Sequence, residues 1–177
     1  MVNRGNSKEY LLNISILSHP DELFNPLIQK LIQAYPRQAT LHETSSKSEN
    51  TFILQLEIED WRLTIYLVQP VGNNLTDKMS LHYYSPIAGS IILFSYDYPE
   101  SFEAAQTFYQ QLRKVNGNLP VLITFIEVLG SGIPILEEPE ILDYEPNVKY
   151  YGIRENDEKA FNKIIETFIG NYFGIQE

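Results

Sequence analysis

Apolar positions change their spacing several times along this chain, and each change marks an element. Tyr10 to Leu17 is almost continuously apolar, as expected of a strand covered on both faces. Ser18-His19-Pro20-Asp21-Glu22 follows as a loop. Asn25 is placed as an N-cap with Pro26 at the first helical position, where a missing N–H costs nothing. Leu27, Ile28, Leu31, Ile32 and Tyr35 then recur at helical spacing, and Pro36 ends the helix. The polar run from Thr44 to Asn50 has no period and reads as a loop.

Strict alternation comes next. Phe52, Leu54, Leu56 and Ile58 share one face of a strand, and Leu63, Ile65 and Leu67 share a face of a second. Glu59-Asp60 between them predicts a tight antiparallel hairpin. Ile91–Ser95 is a further buried strand, and Phe102, Ala105, Phe108, Leu112 and Val115 form a helical stripe closed by Gly117. Val121–Val128 and Val148–Ile153 are strands. Ala160, Phe161, Ile164, Ile165, Phe168 and Ile169 line the last helix, with Asn156 as its cap. Strands and helices in this alternation predict one α/β domain over residues 1–177, with residues 1–9 as a flexible N-terminus. Its sheet is expected to have six strands, mostly parallel with one antiparallel edge strand, and helices on both faces.

Composition narrows the function classes. The chain has 177 residues, enough for one sizeable core. Thirteen basic against 23 acidic residues give a net charge of −10, and no local basic cluster offsets it, so nucleic acid and anionic membrane are poor partners. The absence of cysteine removes disulfides, thiolate metal sites and a Cys nucleophile. The first residues carry no apolar signal region, Val2 stands where myristoylation needs glycine, and Gly174-Ile175-Gln176-Glu177 is not a prenylation site. The expectation is a cytoplasmic protein without a membrane anchor.

Tyr83-Tyr84, Ala88-Gly89-Ser90-Ile91-Ile92-Leu93 and the run Phe94-Ser95-Tyr96-Asp97-Tyr98-Pro99-Glu100-Ser101-Phe102 fall in one block. That block resembles the middle of a Ras-superfamily small GTPase, where paired tyrosines, an Ala-Gly step and a Glu-Ser-Phe lead from a switch helix through a central strand into the next helix. The order of elements is similar from Tyr10 to Phe173. The resemblance implies a three-layer Ras-like fold and also says where a nucleotide would be held.

At those places the residues are wrong for the task. A loop of the form G-x-x-x-x-G-K-[ST] should follow the first strand, its backbone N–H groups and lysine cradling the phosphates. Ser18 stands at the first glycine, Leu23 at the second, Phe24 at the lysine and Asn25 at the hydroxyl that holds Mg²⁺. Gln69-Pro70-Val71-Gly72 replaces Asp-x-x-Gly, so only Gly72 remains of the pair that supports Mg²⁺ and senses the γ-phosphate, and Asn73 replaces the water-orienting glutamine. Ile126 and Leu129 stand where Asn-Lys-x-Asp would read guanine. The helix expected after Leu129 is interrupted by Pro134, Pro139 and Pro146. It is therefore shortened or replaced by an acidic loop carrying Glu137, Glu138, Glu140, Asp143 and Glu145.

Two functions follow from the resemblance. One is a non-catalytic pseudoGTPase without cofactor or metal, which binds a protein partner or assembles into a homo-oligomer. The other is a diverged GTPase that still uses a nucleotide, through Asn25, Gly72 and Arg154. Leu23 and Phe24 either fill the void left by the nucleotide or form an apolar patch for a partner; the cost of an empty cavity favours filling. Tyr83 and Tyr84 are interface anchors or core residues under the switch helix. The acidic stretch lacks the spacing of a Ca²⁺ loop, and the three histidines are far apart.

Overall fold

Lys8–Leu17 forms β1, the central strand around which the remaining elements are arranged. A computed structural model describes residues 8–36, 39–42, 49–58, 61–70, 87–126 and 148–153. Strands β2 (Ala39–His42), β3 (Glu49–Ile58), β4 (Trp61–Pro70), β5 (Gly89–Phe94), β6 (Val121–Ile126) and β7 (Val148–Ile153) complete one sheet of order β2-β3-β4-β1-β5-β6-β7. Strands β4, β1, β5, β6 and β7 run parallel. Strand β3 is antiparallel to β4 on one side and to β2 on the other. The α/β class with a mostly parallel sheet is therefore observed, with one strand more than expected. The antiparallel strand is not at the edge, because β2 pairs with it from Ala39↔Leu54 to His42↔Thr51.

Hydrophobic alternation accounts for the hairpin register. Phe52, Leu54 and Leu56 face Leu67, Ile65 and Leu63 across the β3–β4 ladder, and all six are buried. One residue of slip would turn both rows to the opposite face. The ladder closes on Ile58↔Trp61, and Glu59 and Asp60 lie outside the described residues.

Strand β1 departs from the expected pattern at its start. It pairs with β4 from Lys8 to Ser15, but with β5 only from Ile14 to Leu17. Accordingly it has a strand neighbour along both edges only from Ile14 onward, and Leu11, before that point, is 58% exposed. Lys8 and Glu9, expected in the flexible N-terminus, belong to this strand. Glu9 and Arg62 are direct neighbours in the β1–β4 register and form a 3.2 Å salt bridge in solvent, of a kind that adds little stability.

The two described helices cover opposite faces of the sheet. Helix α1 (Phe24–Ala34) is preceded by one 3-10 turn, Asp21–Leu23. Leu27, Ile28 and Leu31 of α1 pack with Leu12, Ile14 and Ile16 of β1 and the inward rows of β3 and β4. Asn25 is not the N-cap: the helix continues directly out of the 3-10 turn, Leu23 occupies the cap position without a side-chain hydrogen bond, and Asn25 is exposed in the first turn. Pro26 is still within that turn, where its missing N–H is harmless.

Helix α2 (Glu100–Val115) packs on the other face, where Ala104, Ala105, Phe108, Tyr109 and Leu112 meet Leu17, Ile92, Phe94, Val121 and Ile123. The expected stripe is thus observed at Ala105, Phe108 and Leu112 but not at its two ends. Phe102 and Val115 are exposed, while Ser101 is buried. The helix stops at Val115, two residues before Gly117, and Arg113 Nη1 donates to the carbonyls of Gly117 and Leu119 beyond its end. Period-two division is visible along β5: Ile91 and Leu93 belong to the α1 side, Ile92 and Phe94 to the α2 side. A buried hydroxyl pair, Ser15 Oγ and Ser90 Oγ at 2.8 Å, joins β1 to β5.

Among the described residues one buried hydroxyl lacks a hydrogen-bond partner. Thr124 on β6 is fully buried and its Oγ1 makes no hydrogen bond. Thr124→Val keeps the shape and removes the desolvation cost, so it should raise stability by about 1 kcal/mol. Thermal melts of the two proteins check this, with a midpoint roughly 2–4 °C higher in the variant for a domain of this size.

Candidate functional site

Three inward-facing apolar rows end in polar residues at the same end of the sheet. On β1 and just past it the row reads Leu12, Ile14, Ile16, Ser18; on β4 it is Leu63, Ile65, Leu67, Gln69; on β3, running the other way, it is Leu56, Leu54, Phe52, Asn50. These ends meet. Gln69, only 1% exposed, donates from Nε2 to Ser18 Oγ at 3.1 Å and to the backbone carbonyl of Asp21 at 3.0 Å. Its Oε1 accepts from Asn50 Nδ2 at 3.0 Å, and Asn50 and Gln69 are direct partners in the β3–β4 register. Burying a carboxamide is tolerable only when its donors and acceptors are matched in this way.

The same end carries the turn from β1 into α1, where the resemblance puts a phosphate-binding loop. Ser18 is buried, the His19–Pro20 peptide is cis, and the Leu23 N–H donates to the Pro20 carbonyl at 3.3 Å. Leu23 is 0% exposed and Phe24 4% exposed, and both sit in the α1-side core with Leu27, Ile28 and Leu31. They do not present an apolar patch to a partner: their side chains are turned into the core. Asn25, at the expected Mg²⁺-binding hydroxyl, is exposed on α1.

On the far side of β1 the turn from β5 into α2 is closed by serines. Ser101 Oγ accepts the Ser95 N–H at 2.9 Å and lies 3.0 and 2.5 Å from the carbonyls of Ser95 and Tyr98, which share its single proton. Ser95 Oγ in turn donates to Asp97 Oδ2 at 3.2 Å. Edge-on contacts of Phe94 with Tyr96 at 6.3 Å and Phe102 at 5.9 Å flank this turn.

Sequence reasoning singled out Ser18, Leu23, Phe24 and Gln69 for the ligand contacts they cannot make; the structure joins Ser18 to Gln69 and buries Leu23 and Phe24 in the α1-side core. Asn50 was missed, although its parity with Phe52, Leu54 and Leu56 was the available signal. Ile126 ends β6, its backbone paired with Ile153. Gly72, Asn73, Tyr83, Tyr84, Leu129, Arg154, the acidic stretch 137–145 and the C-terminal helical pattern lie outside the described residues.

Chemically, the arrangement at the ends of β1 and β4 is neutral and internally matched. It holds three backbone segments together, and the side chains of Ser18, Asn50 and Gln69 that form it are all uncharged. No group of three or more His, Asp or Glu among the described residues could hold a metal ion, and no helix among them is long and apolar enough to cross a membrane. No protein-family model matches this chain, and no curated protein matches it either.

Proposed function

We propose that this chain is a pseudoGTPase: a Ras-like domain that has lost its nucleotide pocket and works, without catalysis, as a protein-binding or scaffold module. The burial of Leu23 and Phe24 carries the reading. Backbone must come within hydrogen-bond reach of a phosphate at those positions, and a lysine must offset its charge. Here a leucine and a phenylalanine are folded into the core, and a carboxamide draws the preceding turn toward β4. Topology supports the same reading. Without β2, the remaining six strands are five parallel ones and an antiparallel edge strand, with α1 and α2 on opposite faces.

A module of this kind acts by shape, so its partner is a protein or a second copy of itself, and it needs no cofactor. Two measurements test the reading on purified protein. Denaturation followed by chromatography of the supernatant is expected to release no guanine nucleotide. Titration with GDP or GTP and Mg²⁺ to millimolar concentration is expected to leave the melting midpoint unchanged. A ligand bound only by the folded state at a hundred times its Kd adds about 2.7 kcal/mol, a shift that could not be overlooked. Stoichiometric nucleotide, or such a shift, would make the chain a diverged GTPase instead.

A further inference from the structure

We infer that the Gln69 carboxamide is a built-in bolt, holding the β1–α1 turn shut without any ligand, and that its solvent-facing handle is Asn50. The geometry is that of a tie between three segments that are far apart in sequence. Nε2 reaches across to the turn at both ends, Ser18 Oγ at 3.1 Å and the Asp21 carbonyl at 3.0 Å. Oε1 is held by Asn50 at the start of β3, at 3.0 Å. Each hydrogen-bonding atom of the carboxamide is engaged, and Gln69 and Ser18 are each 1% exposed, so the bond between them is shielded from water, while those to Asp21 and Asn50 are partly buried.

Position in the chain gives the bolt its meaning. Gln69 is the penultimate residue of β4, and the turn it holds leads directly into Leu23 and Phe24. In a nucleotide-dependent domain these two segments would be drawn together by a ligand and its metal, and would loosen without them. Here an uncharged side chain of the protein draws them together. The closed arrangement is therefore the resting state, the same at every nucleotide or Mg²⁺ concentration. Among the residues of this network Asn50 alone is exposed, so its bond to Gln69 is the one that can be removed from outside the core. This inference deepens the pseudoGTPase reading by naming what holds the vacated site shut.

Hydrogen exchange read by mass spectrometry tests the bolt on the full chain. Gln69→Leu keeps the approximate volume and deletes all three bonds. Peptides covering Ser18–Phe24 should then exchange about tenfold faster, while those covering Gly89–Phe94 keep their wild-type rate, because the opening is local. Asn50→Ala removes only the outer bond from an exposed position and leaves the fold intact; about threefold faster exchange in the same peptides is expected. Adding Mg²⁺ and GTP should change neither wild-type rate. Exchange within twofold of wild type in the Ser18–Phe24 peptides of Asn50→Ala, or of a folded Gln69→Leu, would overturn the proposal, as would slower wild-type exchange on adding GTP. Nucleotide found on the purified protein, by contrast, would end the pseudoGTPase reading while leaving the two variants' exchange result standing.

Discussion

Phe24→Ala is expected to lower the unfolding free energy by about 3–5 kcal/mol, the usual cost of removing a buried aromatic ring from a close-packed core. Urea unfolding of variant and wild type checks the value, provided the slope of the transition is unchanged. The loss has two parts: the ring's transfer free energy, and the void left among Leu23, Leu27, Ile28 and the inward rows of β3 and β4. Those rows are held in register by paired strands and cannot close in, so the cost belongs in the upper part of the range. On the pseudoGTPase reading, the variant should lose stability and gain no affinity for GTP. Phe24 stands where the resemblance puts a lysine, and the net charge of −10 opposes the phosphates. A melt in GTP and Mg²⁺ no higher than the melt without them is the second readout.

A comparable loss is expected on the opposite face of the sheet. Phe94→Ala should cost about 4–5 kcal/mol, read from the same urea experiment. Phe94 is 1% exposed and packs on the α2 side with Phe108 and Leu112. It also makes two edge-on ring contacts, with Tyr96 and Phe102, each worth about 0.5–1.5 kcal/mol beyond the area it buries. Phe94→Leu should recover more than half of the loss by refilling the volume without the ring contacts. Recovery to the full wild-type value would mean that the ring geometry contributes nothing.

Both residues were visible in the sequence, but not equally well. The phase of β3 and β4 was legible because Phe52, Leu54, Leu56 and Leu63, Ile65, Leu67 alternate without a break, and only one register buries both rows. Helix α2 was legible as a helix, and Ala105, Phe108 and Leu112 marked its buried face, but the two ends of the stripe did not hold. Ser101 looked polar, yet it is buried because its hydroxyl closes the turn after β5, and Phe102 is displaced toward solvent. Strand β2 carried no signal. Ala39-Thr40-Leu41-His42 is too short to show a period, and it is a strand only because β3 offers an edge.

The candidate site was half legible. The residue types at Ser18, Leu23 and Phe24 depart from a phosphate-binding loop, and the cost of an empty cavity favoured burial of Leu23 and Phe24, although hydrophobicity alone suits a core and a docking patch equally. Parity was the stronger signal. Asn50, Gln69 and Ser18 each continue an inward-facing row, and a carboxamide in that position has to find partners inside the protein.

Strand β1 precedes both of its neighbours in the chain by a long interval. The salt bridge to β4 spans 53 residues and the hydroxyl pair to β5 spans 75. Until Gly89–Phe94 has been synthesised, a nascent chain therefore leaves Ile14–Leu17 of β1 without its second neighbour, whereas β3 with β4 is a local pair able to form early. Synthesis thus keeps an apolar segment waiting for cover, which makes the middle third of the chain an interval in which a chaperone has something to protect.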